Sequence, residues 1–159
     1  MKALLSTATG GPETLVLGEL PRPTAGAGQI VIDVKACAVN FPDTLIIEDK
    51  YQFKPARPFA PGGEVAGLVA EIGDGVTGFK VGDRVIAGCG NGGMAEAVAV
   101  GVHNVYHLPQ GHDFADGASL LMTYGTSIHA LVDRGHLQEG DTLLVLGASG
   151  GVGIAAVEL

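Results

Sequence analysis

Four glycines near the end of the chain, Gly147, Gly150, Gly151 and Gly153, mark the passage from the apolar run TLLVLGA (142–148) into a short helical stretch. A bound pyrophosphate asks for this arrangement: a tight turn, a backbone without Cβ atoms, and helix amides aimed at the charge. The spacing is GxxGxxG over 147–153, with Ser149 able to add a hydroxyl donor. No Gly-Lys-Ser/Thr follows, which excludes a Walker loop. Two readings stay open on these residues alone, a dinucleotide site and a plain glycine-rich turn.

Thiols and imidazoles offer less. Cys37 and Cys89 lie far apart in sequence without a CxxC spacing and read as buried thiols of a reducing compartment. Histidines 103, 107, 112, 129 and 136 show no metal spacing with them. Nine basic against 17 acidic residues give a net charge of −8, and no Lys/Arg cluster exceeds a pair. That pattern speaks against a nucleic-acid footprint. No stretch approaches the roughly 20 apolar residues that span a bilayer, and the opening MKALLSTATGG is a poor signal peptide. The expectation is a soluble, cytoplasmic protein with no membrane contact.

The elements that must carry these residues change character along the chain. With 26 glycines and 47% hydrophobic residues, the chain suits many short elements joined by tight turns. Short strands are expected at 3–6 and 14–20. The clearest alternation runs over 29–39, with Ile30, Ile32, Val34, Ala36 and Ala38 on one face and Asp33 and Lys35 on the other. FPDTLIIEDK (41–50) reads as a short helix, and the proline-rich 54–64 as an ordered loop. Further strands are expected over 64–73 and 75–88, then a hairpin-like pair at 94–100 and 104–109. From Asp113, a plausible N-cap, the residues Phe114, Ala118, Leu121, Gly125, Ile128 and Val132 recur at helical intervals up to Gly135. Gly125 is a candidate division of that helix. The apolar run 142–148 then reads as a strand buried on both faces. These patterns divide the chain into 1–112, mainly β, and 113–159.

Taken with ACAVNFPDTLI (36–46), RPFAPGGEVAGLVAEIG (57–73), FKVGDRV (79–85) and GGMAEAVAV (92–100), the segment LVLGASGGVG (144–153) resembles the medium-chain dehydrogenase/reductase superfamily. Within it, the resemblance is to the zinc-independent NADPH:quinone oxidoreductases. It implies a mainly β GroES-like domain followed by the start of an α/β Rossmann domain, with only its first strand, glycine turn and helix. Zinc-dependent relatives carry Gly-His-Glu where this chain has Gly62, Gly63 and Glu64, and Cys37 lies near the position of their cysteine ligand. The resemblance therefore implies no zinc.

It also implies hydride transfer from NADPH, with NADH as an alternative, to a quinone. Positions lining the pocket map onto Asn40, Asp43 and Tyr51 as catalytic candidates. Thr126, Gly147, Ser149, Gly150, Gly151, Val152 and Gly153 map onto the cofactor site. Each pocket residue has a plainer reading: Asn40 a turn cap, Asp43 a helix cap, Tyr51 a buried anchor, Thr126 a helix position, and Glu64 a structural carboxylate. Leu45 stands where relatives often place a tyrosine. An enoyl or 2-alkenal reductase and a non-catalytic binding or structural relative are the alternatives. The resemblance further implies a homodimer, and it leads us to expect that these 159 residues are the N-terminal part of a longer enzyme and inactive by themselves.

Overall fold

β-branched and alternating apolar residues drive the first hundred residues into seven short strands in the computed structural model, which describes residues 1–159. They are β1 (Lys2–Leu5), β2 (Val16–Glu19), β3 (Gln29–Cys37), β4 (Glu64–Ile72), β5 (Arg84–Gly88), β6 (Ala97–Gly101) and β7 (Val105–His107). β1 and β2 form an antiparallel pair, and the other five form an antiparallel sheet in the order β6-β3-β4-β5-β7. Its apolar face carries Ile30, Ile32, Val65, Val69, Val85 and Val98, all buried in one cluster.

The expected hairpin of 94–100 with 104–109 does not form: β6 pairs with β3 and β7 with β5, at opposite edges of the sheet. In a flat sheet those edges would stand about 19 Å apart, four strand spacings. The single 3-10 turn Val102–Asn104 joins them, and the four Cα steps from Gly101 to Val105 reach about 14 Å at most. The sheet must therefore curl until its edges approach, which makes it a half-barrel.

Two further strand expectations are corrected. Of 75–88 only Arg84–Gly88 enters the sheet, because Gly75, Gly78 and Gly82 take positive φ and turn the chain before it. In β3 the alternation is interrupted by register shifts between Val31 and Ile32 and between Val34 and Ala36. Ile30, Val31 and Ile32 are all completely buried, so both faces of this half of the strand are covered.

The helices follow local signals more closely. α1 (Phe41–Ile47) begins at Asn40 with Pro42 in its first turn. α2 (Phe114–Ala118) is capped by Asp113, whose Oδ1 accepts the Ala115 N–H at 2.8 Å. The Arg84 guanidinium lies 4.1 Å over the Phe114 ring, and Gly117 packs on Ile86 and Leu108. These contacts hold α2 to the β structure, and the chain divides into compact units at Met1–Ser119 and Leu120–Leu159. The division follows α2, where the change of pattern in the sequence precedes it.

In the second unit, α3 (Thr126–Ile128) is flanked by π-helical stretches Leu121–Gly125 and His129–Arg134, and α4 (Gly151–Glu158) ends the chain. The helix expected from 113 to 135 breaks at Ser119 rather than at Gly125. Its stripe is not maintained either, with Ile128 44% and Val132 58% exposed. The π turns bond five residues back instead of four, which rotates later positions off an α-helical stripe. The run 142–148, expected as a Rossmann strand, joins no ladder, and Leu144 and Leu146 are 80% and 84% exposed. A strand buried on both faces needs a neighbouring strand and covering layers, and the second unit consists of helices and turns.

Candidate active site

The end of β3 delivers the chain to a crowded polar corner. Ala38 N–H still bonds the Glu64 carbonyl at 3.0 Å, and two residues later Asn40 leaves the sheet in extended conformation to open α1. Its backbone N–H donates to Asp43 Oδ2 at 2.8 Å. The other Asp43 oxygen, Oδ1, accepts the Gly62 N–H at 3.0 Å. Asp43 is 5% exposed, so both carboxylate oxygens are engaged by backbone amides in a buried setting. It caps α1 and clamps the loop before β4.

Gly62 is where the elements meet. Its φ is +94°, and a Cβ there would come 2.5 Å from Cys37 Sγ and 2.9 Å from the Met94 amide. The Cys89 thiol donates to its carbonyl at 3.3 Å. Only glycine satisfies both the conformation and the contact. Burial, reinforced by the Asp43 and Glu64 charges, pushes the Cys37 thiol up to about 12. Burial, with Cys37 beside it, pushes Cys89 to about 12 as well.

Glu64 opens β4 at 1% exposure, and its Oε2 accepts the Asn40 side-chain amide, Nδ2, at 3.0 Å. Asn40 thus joins the loop, the sheet and α1 in one polar knot with Asp43 and Glu64. Tyr51 lies elsewhere, half-buried against Ile46, Ile47 and Phe59, the packing expected of an aromatic anchor. Beside Asp43 and Thr44 opens a pocket of about 200 Å³ walled by Leu4, Leu15, Val39, Ile47, Pro61 and Met94. Such a wall suits an apolar ring or chain.

At the position where zinc-dependent relatives carry a histidine, this corner presents glycine. Gly63 offers no side chain, and a Cβ there would approach the Gly90 carbonyl oxygen to 3.3 Å. Both Asp43 oxygens are engaged by backbone amides.

The glycine turn belongs to the second unit. Gly147 takes φ +71°, and its carbonyl accepts the Gly150 N–H at 3.0 Å. Gly153 lies directly against that turn, where a Cβ would stand 2.3 Å from the Gly147 carbonyl oxygen. The first intrahelical donor of α4 is Ile154, bonded to the Gly150 carbonyl at 2.8 Å. The amides of Gly151, Val152 and Gly153 precede it, at the positive end of the helix dipole. A tight turn, a close approach at Gly153 that leaves no room for a side chain, and a leading row of amides are what a pyrophosphate requires, so these residues fit a dinucleotide.

Thr126 is exposed, whereas its neighbour Ser127 is 1% exposed and donates to the Val152 carbonyl at 2.8 Å. Ser127, which pins the start of α4, was not singled out from sequence. Its only signal was a small hydroxyl residue beside Thr126. Glu64 as the partner of Asn40 was also missed, since 24 residues separate the two.

Residues 26–110 match the alcohol dehydrogenase GroES-like domain. Along its whole length the chain is 40% identical to the human quinone oxidoreductase, of which it covers 49%. A human synaptic vesicle membrane protein VAT-1 homolog-like protein superposes with a TM-score of 0.96 at 35% identity, over 99% of this chain and 51% of that one. Mycobacterial Rv1454c complexed with NADPH superposes at 0.91 with 34% identity, over 98% of this chain and 48% of that one. The chain thus spans about half the length of the curated relatives it matches. With a GroES-like half-barrel built from the matching residues, the chain belongs to the medium-chain dehydrogenase/reductase superfamily, in the alcohol dehydrogenase GroES-like domain family.

Proposed function

We propose that the chain is part of a zinc-independent, NADPH-dependent reductase that passes hydride to a quinone. The observation that carries this reading is the glycine corner, where Gly153 presses on the Gly147 carbonyl and α4 opens on three leading amides. When bound there, the dinucleotide supplies the hydride, and the protein's part is to bind, orient and stabilise charge. Gly151, Val152 and Gly153 would hold the pyrophosphate through backbone amides, with Ser149 adding a hydroxyl. Ser127 keeps α4 in position by its bond to Val152. Asn40 would donate from its carboxamide to the acceptor oxygen as negative charge grows there. The apolar pocket beside Asp43 favours a soft, ring-shaped acceptor over a charged one.

The quinone oxidoreductases among its relatives and the NADPH in the mycobacterial structure support the same reading. So does Gly63, at the position where zinc-dependent relatives carry a histidine. No helix is long and apolar enough to cross a membrane. We place the enzyme in the cytoplasm as a homodimer, with the 159 residues inactive by themselves.

The test is a panel of quinones and enones offered with NADPH or NADH to the whole protein, with and without a strong zinc chelator. Quinone-dependent NADPH oxidation that survives chelation is the expected result. Loss of turnover with the chelator would end the metal-free reading. A preference for enones would select the enoyl or 2-alkenal reductase instead, and no turnover of any acceptor would favour a non-catalytic relative.

A further inference from the structure

We propose that Glu64 is a positioning residue that decides which end of the Asn40 carboxamide meets the acceptor. The inference rests on the reading above, in which Asn40 donates to the acceptor oxygen. An asparagine side chain has an NH2 end and a carbonyl end of nearly equal shape, and a half-turn about its last bond exchanges them. Only the NH2 end can stabilise an oxygen that gains negative charge; the carbonyl end would repel it.

Two neighbours bear on the choice: the Asp43 N–H, which the Asn40 side chain accepts in the capping box, and Glu64 on the far side, which alone holds the NH2 end. Glu64 is 1% exposed, fixed at the first residue of β4, and its Oε2 lies 3.0 Å from Asn40 Nδ2. A carboxylate oxygen only accepts, so it holds the NH2 end and disfavours the flipped amide, which would bring two acceptors together. Glu64 takes one of the two amide hydrogens, and in this proposal the other serves the acceptor.

The backbone of Asn40 is fixed independently, by the bond from its N–H to Asp43 Oδ2 at 2.8 Å. Removing the carboxylate therefore leaves the Asp43 N–H of the capping box as the remaining constraint on the side chain, without releasing the residue. The loop before β4 keeps its own tie through Gly62 and Asp43.

Glu64→Gln keeps the shape but offers either a donor or an acceptor to Asn40, so both amide orientations become populated. In the whole protein we expect kcat for quinone reduction to fall about 10-fold, with the KM for NADPH and the melting temperature nearly unchanged. Asn40→Ala should fall about 100-fold, and adding Glu64→Gln to it should cause no further loss, since Glu64 acts through Asn40. Independent, multiplying losses in that cycle would overturn the proposal. In the 15N-labelled chain, Glu64→Gln should move the Asn40 side-chain amide resonances and leave the backbone amides of α1 in place. An unmoved side-chain pair would also overturn it. Failure of the unaltered protein to reduce any quinone would overturn the functional reading and the acceptor role with it. Quinone turnover that Glu64→Gln leaves untouched would overturn the positioning role alone.

Discussion

Cys37 and Cys89, which show no CxxC spacing in the sequence, are held as unreactive thiols in the fold. Both thiols are held in their neutral form by burial, with the nearby carboxylates adding to the effect at Cys37. Folding raises each from an ordinary 9.0 to about 12. A group whose folded value is raised contributes stability that is complete below the unfolded value and lost as the pH climbs toward the folded one. The chain should therefore lose stability between about pH 9 and pH 12, and Cys37→Ala should flatten that decline in urea titrations. At neutral pH neither thiol should react with iodoacetamide until urea unfolds the chain. Rapid labelling of the folded chain, followed by mass spectrometry, would contradict this assignment. The sequence did announce thiols without a redox motif. The clamp that buries them, Asp43 on Gly62, was hidden because its partners are 19 residues apart.

At the scale of elements, what could be read in advance was what depends on neighbours in sequence. α1 and α2 appear where Asn40 with Pro42, and Asp113, announce them, because a helix start is a local event. The order of the sheet was not legible, since β6 and β7 are adjacent in sequence yet pair with β3 and β5. Nor was the tie that joins the C-terminal end of α1 to Ser6, the residue that follows β1. Arg57 donates through Nη1 to Asp49 at 2.9 Å, through Nη2 to the Ile47 carbonyl at 2.8 Å and through Nε to Ser6 at 3.2 Å. Asp49 sits at φ +56°, a left-handed position that a non-glycine residue keeps only when its surroundings hold it. The Thr9 hydroxyl and then Arg57 hold the Asp49 carboxyl below its ordinary value. Its contribution is thus present at neutral pH and lost as the pH falls below the ordinary carboxylate range. Arg57→Met should lower the melting temperature by on the order of 5 °C, and Arg57→Lys, which keeps the charge but not the fork, should recover only part of it. Calorimetry at pH 7 in which both variants melt with the unaltered chain would remove the tie from the account of this fold.

At the scale of the whole 159-residue chain, taken by itself, stability should be distributed very unevenly. In the first unit, β3 to β5 are paired on both edges and carry fully buried Ile30, Ile32, Val65 and Val85. In the second unit, 142–148 has its apolar residues exposed and no ladder, and α4 buries only Ala155. Hydrophobic residues specify a buried strand only where other strands and layers cover them, and these 159 residues place none beside 142–148. Amide exchange follows the free energy of local opening, from near zero in unpaired segments to the global value in paired core strands. Exchange read by mass spectrometry should therefore saturate within seconds over 138–150 and proceed slowest over 29–36, 65–69 and 85–87. The glycine turn contains a test of its own within the fast region, because the Ser127 hydroxyl holds the Val152 carbonyl and not the turn ahead of it. Ser127→Ala should speed exchange along α4 and leave 138–150 as fast as before. Equal protection over 142–148 and β3 would mean that the run is covered after all, and that the strand expected from its composition does form in solution.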